Sequence, residues 1–196
     1  MNASAKHDES LRLRAIANNL KARQALLRAV RAFFFEHDFL EVETPSRVRA
    51  PALEDYIEAE PSGDWYMRSS PELHMKRLLA AGYERLCQIG PCFRQGELSP
   101  RHLPEFSMLE WYQAGVDYHH ILSQTKTLLN QCAQAVTGKN SCSYNGKQIE
   151  FARPWQQLSV DEAFTRYAGR GVDDAVEQGE FEAVMLDLVQ PRLGTE

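Results

Sequence analysis

Strand-like segments on either side of one polar loop constrain the fold of this 196-residue chain more than any other feature. Apolar and aromatic residues dominate 85–94 and 106–112, whereas the stretch between them contains one glycine and two prolines. Glycine and proline interrupt regular strands, so this stretch is not expected to continue either one. We therefore predict a long β-hairpin whose loop runs from residue 95 to residue 105.

Helical patterns lie on both sides of this hairpin. Apolar residues recur at three, four or seven positions from Glu9 to about His37, with a break near 18–19, which is typical of an amphipathic helix. Ser70-Pro71-Glu72 predicts the start of a second helix, with Ser70 as N-cap and Pro71 as the first helical residue. Further elements are predicted as a buried strand at 65–68, helices at 118–136, 159–167 (opened by a Ser159–Glu162 capping box) and 181–189, and a tight turn at Asn145-Gly146. Strands in runs with flanking helices predict an α+β fold with a mainly antiparallel sheet. The polar residues 1–8 are predicted to be frayed.

The composition excludes several functional classes. The formal net charge of -5 provides no broad positive surface, so any nucleic-acid contact would have to be local. No apolar run is long enough to span a bilayer and no secretory segment follows Met1, which predicts a cytoplasmic protein without membrane contact. The four cysteines lack the spacing of a zinc site, so we expect reduced thiols and no metal site among these residues.

The loop offers chemistry that suits a nucleotide. Arg94 ends a strand, Arg101 and His102 follow in the loop, and a planar guanidinium matches phosphate geometry better than an ammonium does. Phe106, on the returning strand, could stack on a planar base. A nucleotide site and a surface hairpin with solvated charges both agree with this pattern, and without further information the plain hairpin is the commoner explanation.

Two acidic residues lie on apolar elements. Glu110 shares a strand face with Phe106, Met108 and Tyr112, and burying a carboxylate there costs several kcal/mol unless a partner compensates it. That partner could be a bound ammonium group, Arg94 or a nearby lysine, and the pattern alone does not choose among them. Glu72 lies in the first turn of its helix, and the helix dipole is the simpler explanation of its position.

Three segments in this order resemble the catalytic domain of class II aminoacyl-tRNA synthetases of the lysyl-tRNA synthetase subgroup. Phe39-Leu40-Glu41-Val42-Glu43-Thr44-Pro45 is similar to motif 1, which builds the dimer interface. Ser70-Pro71-Glu72-Leu73-His74-Met75-Lys76-Arg77-Leu78 is similar to the segment that cradles the amino acid, and 93–112 is similar to motif 2. The resemblance covers about residues 20 to 168 and implies an antiparallel sheet flanked by helices.

The resemblance implies a role for each matching residue. Arg94, the implied catalytic residue, would hold the α-phosphate of ATP and the substrate carboxylate, while Phe106 would stack under adenine. Arg101 and His102 would reach the outer phosphates, and Glu72 would bind the substrate's amino group. The implied ATP-binding residues are Arg94, Gln95, Gly96, Glu97, Arg101, His102, Leu103 and Phe106, and the implied substrate-binding residues are Ser70, Pro71, Glu72, Glu110 and Tyr112.

The chain departs from the family pattern at three points. Gly96 stands where synthetases usually carry Glu, with Glu97 next, and Leu103 replaces a common Asn after the loop histidine. Motif 3 is not found within residues 1–196, and neither is an anticodon-binding domain, so the resemblance implies that tRNA is not an expected partner. We therefore expect residues 1–196 to be the N-terminal portion of a single catalytic domain whose C-terminal part is missing.

The activity implied by the resemblance is ATP-dependent ligation through an aminoacyl-adenylate, with Mg²⁺ bound mainly by the missing part. Within the subgroup the chain is most similar to the paralogues that transfer (R)-β-lysine to a lysine of elongation factor P, and a homodimer through motif 1 is implied. Two alternatives stay open: a lysyl-tRNA synthetase catalytic domain that charges tRNA, and a catalytically silent paralogue that binds an amino acid.

Overall fold

The computed structural model describes residues 3–192, with side chains from residue 9 onward. The chain divides into two compact units, residues 1–152 and 153–196. The backbone is helical from Ala3, so the first helix begins earlier than predicted, while Met1, Asn2 and the side chains of residues 3–8 lie outside the described part. None of the helices in the described part of the chain has the length and apolar character needed to cross a membrane.

The first unit contains four helices and eight strands among its described residues. In chain order these are α1 (Ala3–Ala15), α2 (Ala17–Glu36), β1 (Leu40–Glu41), β2 (Arg47–Val48), β3 (Pro61–Ser62), β4 (Trp65–Met67), α3 (Glu72–Ala80), β5 (Arg85–Phe93), β6 (Glu105–Gln113), α4 (Tyr118–Thr137), β7 (Ser141–Tyr144) and β8 (Lys147–Glu150). The break between α1 and α2 falls at Ile16, two residues before the predicted position. The predicted long hairpin is confirmed as β5 and β6, and each is one unbroken nine-residue strand.

A three-stranded sheet in the order β1-β5-β6 forms the centre of this unit. β1 runs parallel to β5, and β5 pairs antiparallel with β6 along its whole length, from Arg85 opposite Gln113 to Phe93 opposite Glu105. The predicted α+β fold with a mainly antiparallel sheet is therefore confirmed.

One face of this sheet packs against α2 and α4. The buried residues of this core are Val30, Phe33, Phe34, Phe39, Cys87, Leu128 and Cys132, with Ile89, Leu109 and Trp111 packed against them. Full burial of a large apolar side chain contributes about 1.5–3 kcal/mol, so this layer holds the sheet on its helices. Burial also raises the pKa of the Cys87 thiol to about 12, which keeps the group protonated.

The opposite face carries the alternate residues of β5 and β6, because successive side chains of a strand point to opposite sides. α3 contacts both strands. Cys87 and Cys92, five positions apart, consequently lie on opposite faces of β5 and cannot pair as ligands of one metal ion.

A second small sheet, in the order β2-β4-β3, precedes α3. The sequence predicted a buried strand at 65–68, but Trp65 and Tyr66 are 36% and 39% exposed. The guanidinium groups of Arg47 and Arg49 lie over the Trp65 ring and shield part of this ring from solvent. The buried residue of this segment is Arg68, at 2% exposure. The burial prediction was therefore wrong for the aromatic residues.

The second unit is helical. Its elements are α5 (Val160–Ala168), α6 (Val172–Glu177), α7 (Phe181–Val184), a π-helical turn (Met185–Val189) and a 3-10 turn (Gln190–Arg192). The predicted helix at 181–189 is present as α7 and the π-helical turn, whereas α6 was not predicted. The core of this unit consists of Ala163, Phe164, Tyr167, Ala175, Val184 and Val189.

The predicted capping box at the start of α5 is confirmed. The Ser159 side chain accepts a hydrogen bond from the Glu162 N–H at 3.1 Å, and Glu162 accepts one from the Ser159 N–H at 2.7 Å. The hydrogen bond from the Ser159 backbone lowers the pKa of Glu162, with a further contribution from the Ser159 side chain. Because the folded pKa lies below the unfolded one, this contribution to stability is present above the ordinary glutamate pKa and is lost as pH falls through the folded value.

Replacing the capping residue tests this local stabilisation. We expect Ser159→Ala to lower the free energy of unfolding by about 1 kcal/mol, because the N–H of Glu162 loses its acceptor. Urea denaturation followed by far-UV circular dichroism measures the change, with Thr165→Ala, at an exposed position of the same helix, as the matched control. An equal loss in both variants would contradict the capping role.

Candidate functional site

The candidate site lies on the sheet face that faces away from α2 and α4. Phe106, Met108, Glu110 and Tyr112 occupy alternate positions of β6 on this face, as predicted, and each is partly buried. Their cross-strand partners on β5 are Cys92, Gly90, Gln88 and Leu86. A carboxylate is thereby presented on a half-buried sheet surface, in the neighbourhood of α3.

Glu110 is held by two hydroxyl groups. The Ser70 Oγ donates to one carboxylate oxygen of Glu110 at 3.0 Å, and the Tyr112 hydroxyl donates to the other. The sequence suggested a cationic partner, Arg94 or a lysine, but the described residues form no ion pair with Glu110. Hydroxyl donors satisfy a carboxylate's hydrogen-bonding capacity without neutralising its charge. Glu110 is therefore positioned and still able to attract an ammonium group.

Tyr112 serves as a fixed hydrogen-bond donor. Burial, followed by the hydrogen bond and charge of Glu110 and by the charge of Glu72, raises the pKa of Tyr112 well above its usual range. The phenol consequently remains protonated at any physiological pH and keeps donating to Glu110. The influence of Glu72 on Tyr112 also places the two carboxylates in one electrostatic neighbourhood.

Glu72 begins α3 and has a cationic partner that the sequence analysis did not propose. The Lys76 Nζ lies 2.5 Å from its Oε1, one helical turn along, in a pair with half-exposed side chains. The hydrogen bond and charge of Glu72, and the charge of Glu110, raise the pKa of Lys76. Exposed pairs of this kind are weak, so the Glu72 carboxylate can exchange its partner for another ammonium at little cost.

The start of α3 differs from the prediction by one residue. The helix begins at Glu72 with the fully buried Pro71 in the N-cap position, rather than with Ser70 as N-cap and Pro71 as first residue. Ser70 nevertheless accepts the N–H of Glu72 at 3.0 Å while its own hydroxyl proton goes to Glu110. One hydroxyl group thus links the helix start to the carboxylate on β6. We refer to Ser70, Glu72, Glu110 and Tyr112 as the acid cluster.

Arg94 follows the last residue of β5, where the backbone is fixed. Its N–H donates to the Pro104 carbonyl at 2.8 Å, which closes the loop between β5 and β6. The guanidinium carbon lies 5.2 Å from the centre of the Phe106 ring, and Nη1 lies 3.7 Å from a carboxylate oxygen of Glu97. Nε is buried without a hydrogen-bond partner. A buried donor without a partner is unusual and marks a place where a ligand oxygen could be accommodated.

The loop residues themselves are arranged around a tight turn. Gly96 has a φ of 74°, a conformation that favours glycine, which gives a local reason for its presence at this position. At the tip, Ser99 and His102 form an isolated bridge, and the Ser99 Oγ lies 2.8 Å from the His102 Nδ1. The Gln95 N–H donates to the carbonyl of Glu58 at 2.8 Å, which ties the loop to the segment after β2.

The structure therefore joins some of the predicted site residues by direct contacts and leaves others without such contacts. The acid cluster is joined by hydrogen bonds, and Arg94 contacts both Glu97 and Phe106. Arg101, His102 and Leu103 are exposed, and no hydrogen bond or ion pair among the described residues connects them to Arg94. Arg94 and these loop residues belong to one hairpin, so a triphosphate extending from Arg94 towards the loop tip could contact them together.

Arg68 and Lys76 belong to this neighbourhood and were not predicted. Burial raises the pKa of the Cys92 thiol, the positive charges of Arg68 and Arg94 lower it, and the negative charge of Glu110 raises it. In the sequence, Arg68 is a charged residue at the end of an apolar segment, and this feature could have indicated a role for it. Lysine four residues after Glu72 was the signal for Lys76.

The arrangement can bind a molecule with both negative and positive groups. Arg94 offers a guanidinium with an unused donor and an aromatic ring beside it, while the acid cluster offers two carboxylates. The residues that the structure describes contain no group of three or more His, Cys, Asp or Glu side chains that could hold a metal ion.

Comparison with known proteins identifies relatives and a family for this chain. Two similar proteins are lysine–tRNA ligases of Burkholderia pseudomallei (strain 1710b) and Burkholderia mallei (strain SAVP1). Each is 34% identical over 181 residues, which cover 87% of this chain and 36% of the relative, so the chain spans about a third of the length of the curated relatives it matches. The model of the family described as tRNA synthetases class II (D, K and N) matches residues 6–188. Since this match covers most of the sequence, the chain belongs to the class II (D, K and N) tRNA synthetase family.

Proposed function

We propose that this chain provides the ATP- and amino-acid-binding face of an enzyme that activates a lysine isomer as an aminoacyl-adenylate. The observation that carries the proposal is the acid cluster, with Glu110 held by Ser70 and Tyr112, in the same compact unit as an arginine whose Nε lacks a partner. Two carboxylates suit the two ammonium groups of a diamino acid, and a guanidinium suits its carboxylate together with a phosphate.

In the proposed reaction the substrate carboxylate attacks the α-phosphorus of ATP. A carboxylate oxygen–phosphorus bond forms, the bond from the α-phosphorus to the bridging oxygen breaks, and pyrophosphate leaves with that oxygen. No proton has to be moved in this step, so the protein contributes alignment and charge. Arg94 would neutralise both anions as they approach, and Phe106 would support the adenine ring.

The acceptor of the activated lysine is the finer part of the proposal. We propose a lysine side chain of elongation factor P, with (R)-β-lysine as the preferred isomer, on the resemblance of the motif-bearing segments to that paralogue family. In the transfer, the acceptor's ε-amino nitrogen bonds to the activated carbonyl carbon and loses a proton to solvent, while the bond from that carbon to the phosphate oxygen breaks and AMP leaves with that oxygen. Charging of tRNA is the second candidate, because the similar Burkholderia proteins are named lysine–tRNA ligases. Either acceptor would react in the cytoplasm.

We also propose that the full-length protein is a homodimer through α2 and β1. Phe35 is 82% exposed and Leu40 is 50% exposed, next to a surface cavity of about 550 Å³ that both residues help to line. β1 is an edge strand, whose free backbone groups can pair with another strand, and the exposed apolar surface around it is costly to leave in water. A second copy covering this surface would bury both residues.

Exchange of radiolabelled pyrophosphate into ATP tests the activation step. We expect the full-length protein to catalyse exchange that depends on α-lysine or (R)-β-lysine. Glu110→Gln should raise the KM for the lysine isomer by about tenfold or more and leave the KM for ATP unchanged, because an amide does not balance an ammonium charge. Arg94→Met should lower kcat/KM by about 10²-fold or more.

The control for these variants is Arg153→Met, which removes an exposed guanidinium outside the site and should leave exchange unchanged. Absence of exchange with both isomers, despite tight amino-acid binding, would favour the catalytically silent alternative. A rise in both KM values on Glu110→Gln would contradict the role given to the acid cluster.

Transfer of a labelled amino acid separates the two acceptors. We expect label from (R)-β-lysine to appear in elongation factor P and to be lost when its acceptor lysine is replaced by arginine, because arginine does not react as an amine nucleophile. Label in tRNA and none in elongation factor P would instead establish the second candidate.

Light scattering at micromolar concentration tests the dimer. Phe35→Asp should shift the protein to the monomer, because a carboxylate on an apolar interface must be buried without a partner. Tyr144→Asp, at an exposed aromatic residue of β7, should leave the dimer intact. A monomeric unsubstituted protein would rule out the proposed interface.

A further inference from the structure

Arg68 is the most deeply buried charged group of the first unit, and its side chain binds two separate segments. Its residue exposure is 2%. Nη1 donates to the Thr44 carbonyl at 2.6 Å and to the Thr44 hydroxyl at 3.1 Å, while Nε donates to the Pro91 carbonyl at 2.9 Å. The guanidinium thus joins the segment after β1 to the last third of β5.

The backbone of Arg68 adds two further connections. Its N–H donates to the Ser46 carbonyl at 2.9 Å, and its carbonyl accepts the N–H of Phe93 at 2.9 Å. Phe93 immediately precedes Arg94, and Arg68 is separated from Ser70 by one residue that is also buried. Arg68 therefore connects the segment that leads into Arg94, the arginine proposed to bind the phosphate, with the segment that leads into Ser70 at the start of the acid cluster.

No carboxylate of the described residues lies within ion-pair distance of this guanidinium. A buried guanidinium without an acid is held here by carbonyl oxygens, whose number and direction fix its position. A lysine ammonium cannot reproduce this arrangement, because the fork of guanidinium donors is what spans two carbonyl groups on different segments.

Gly90 provides the space for the free end of the guanidinium. A Cβ atom on Gly90 would lie 2.6 Å from the Arg68 Nη2, which is closer than real contacts allow. Gly90 does not have a positive φ, so its backbone conformation does not require glycine. The reason for glycine at this position is the close approach of Arg68.

We propose that Arg68 is a positioning residue that fixes the acid cluster relative to Arg94, and this proposal rests on the proposed function. The attacking carboxylate belongs to the amino acid held at the acid cluster, and the phosphorus belongs to the ATP held at Arg94. Their in-line approach depends on the distance between these two parts, and a misplacement of about 1 Å can cost about 10²-fold in rate. Arg68 touches neither reacting group and acts by holding the two binding parts together.

The test compares Arg68→Lys, Gly90→Ala and the double variant in pyrophosphate exchange by the full-length protein. Each single variant should lower kcat by about 10- to 100-fold, with KM values for ATP and for the lysine isomer within about threefold of the original. Gly90→Ala should cost nothing further in the Arg68→Lys background, because lysine lacks the atom that the new Cβ would meet. Arg153→Met is the matched arginine control, and thermal denaturation confirms that each variant is folded.

Each result has a defined meaning. A loss of kcat at constant KM, together with non-additivity of the two substitutions, supports the positioning role. Unchanged kcat in folded Gly90→Ala and Arg68→Lys, or a change confined to one KM, would overturn it while leaving the proposed activity intact. Absence of exchange in the unsubstituted protein would instead refute the proposed function, and the positioning role with it.

Discussion

The antiparallel pairing of β5 with β6 is the constraint on which the rest of the first unit depends. Because strand side chains alternate with a period of two, this pairing sends Trp111 to the helices and Glu110 to the opposite face. A slip of one residue on β6 would bury the carboxylate in an apolar core and expose the indole. The same strand register therefore determines both which residues enter the core and which residues form the candidate site.

Local signals in the sequence were sufficient where one short segment determines the outcome. Asn145 and Gly146 have φ values of 48° and 76°, as the predicted two-residue turn requires, and Ser159 with Glu162 closes its own capping box. The long hairpin was also predictable, because its apolar segments and its Gly- and Pro-containing loop are unambiguous. These features depend on residues a few positions apart, so tertiary contacts have little opportunity to override them.

Long-range contacts decided what the sequence could not predict. The strand at 65–68 was predicted to be buried because its residues are mainly apolar. The buried residue of this segment is instead Arg68, because carbonyl groups from two distant segments accept hydrogen bonds from its guanidinium. For Glu110 the sequence left a bound ammonium group, Arg94 or a lysine open as partners, and in the protein Ser70, 40 positions away, and Tyr112 hold it through hydroxyl groups. In both cases the pattern identified a costly buried charge, but only the tertiary structure shows how it is compensated.

The departure at Gly96 can be understood from the contact between Arg94 and Glu97. The family's usual glutamate is displaced by one position, and Glu97 lies 3.7 Å from the Arg94 guanidinium in a pair with partly exposed side chains. A pair at this distance and exposure is weak, so a phosphate approaching Arg94 would replace Glu97 at little cost. The released carboxylate would then be free to accept a hydrogen bond from an adenine amino group. The positive φ of Gly96 sets the path of the loop at the residue before Glu97.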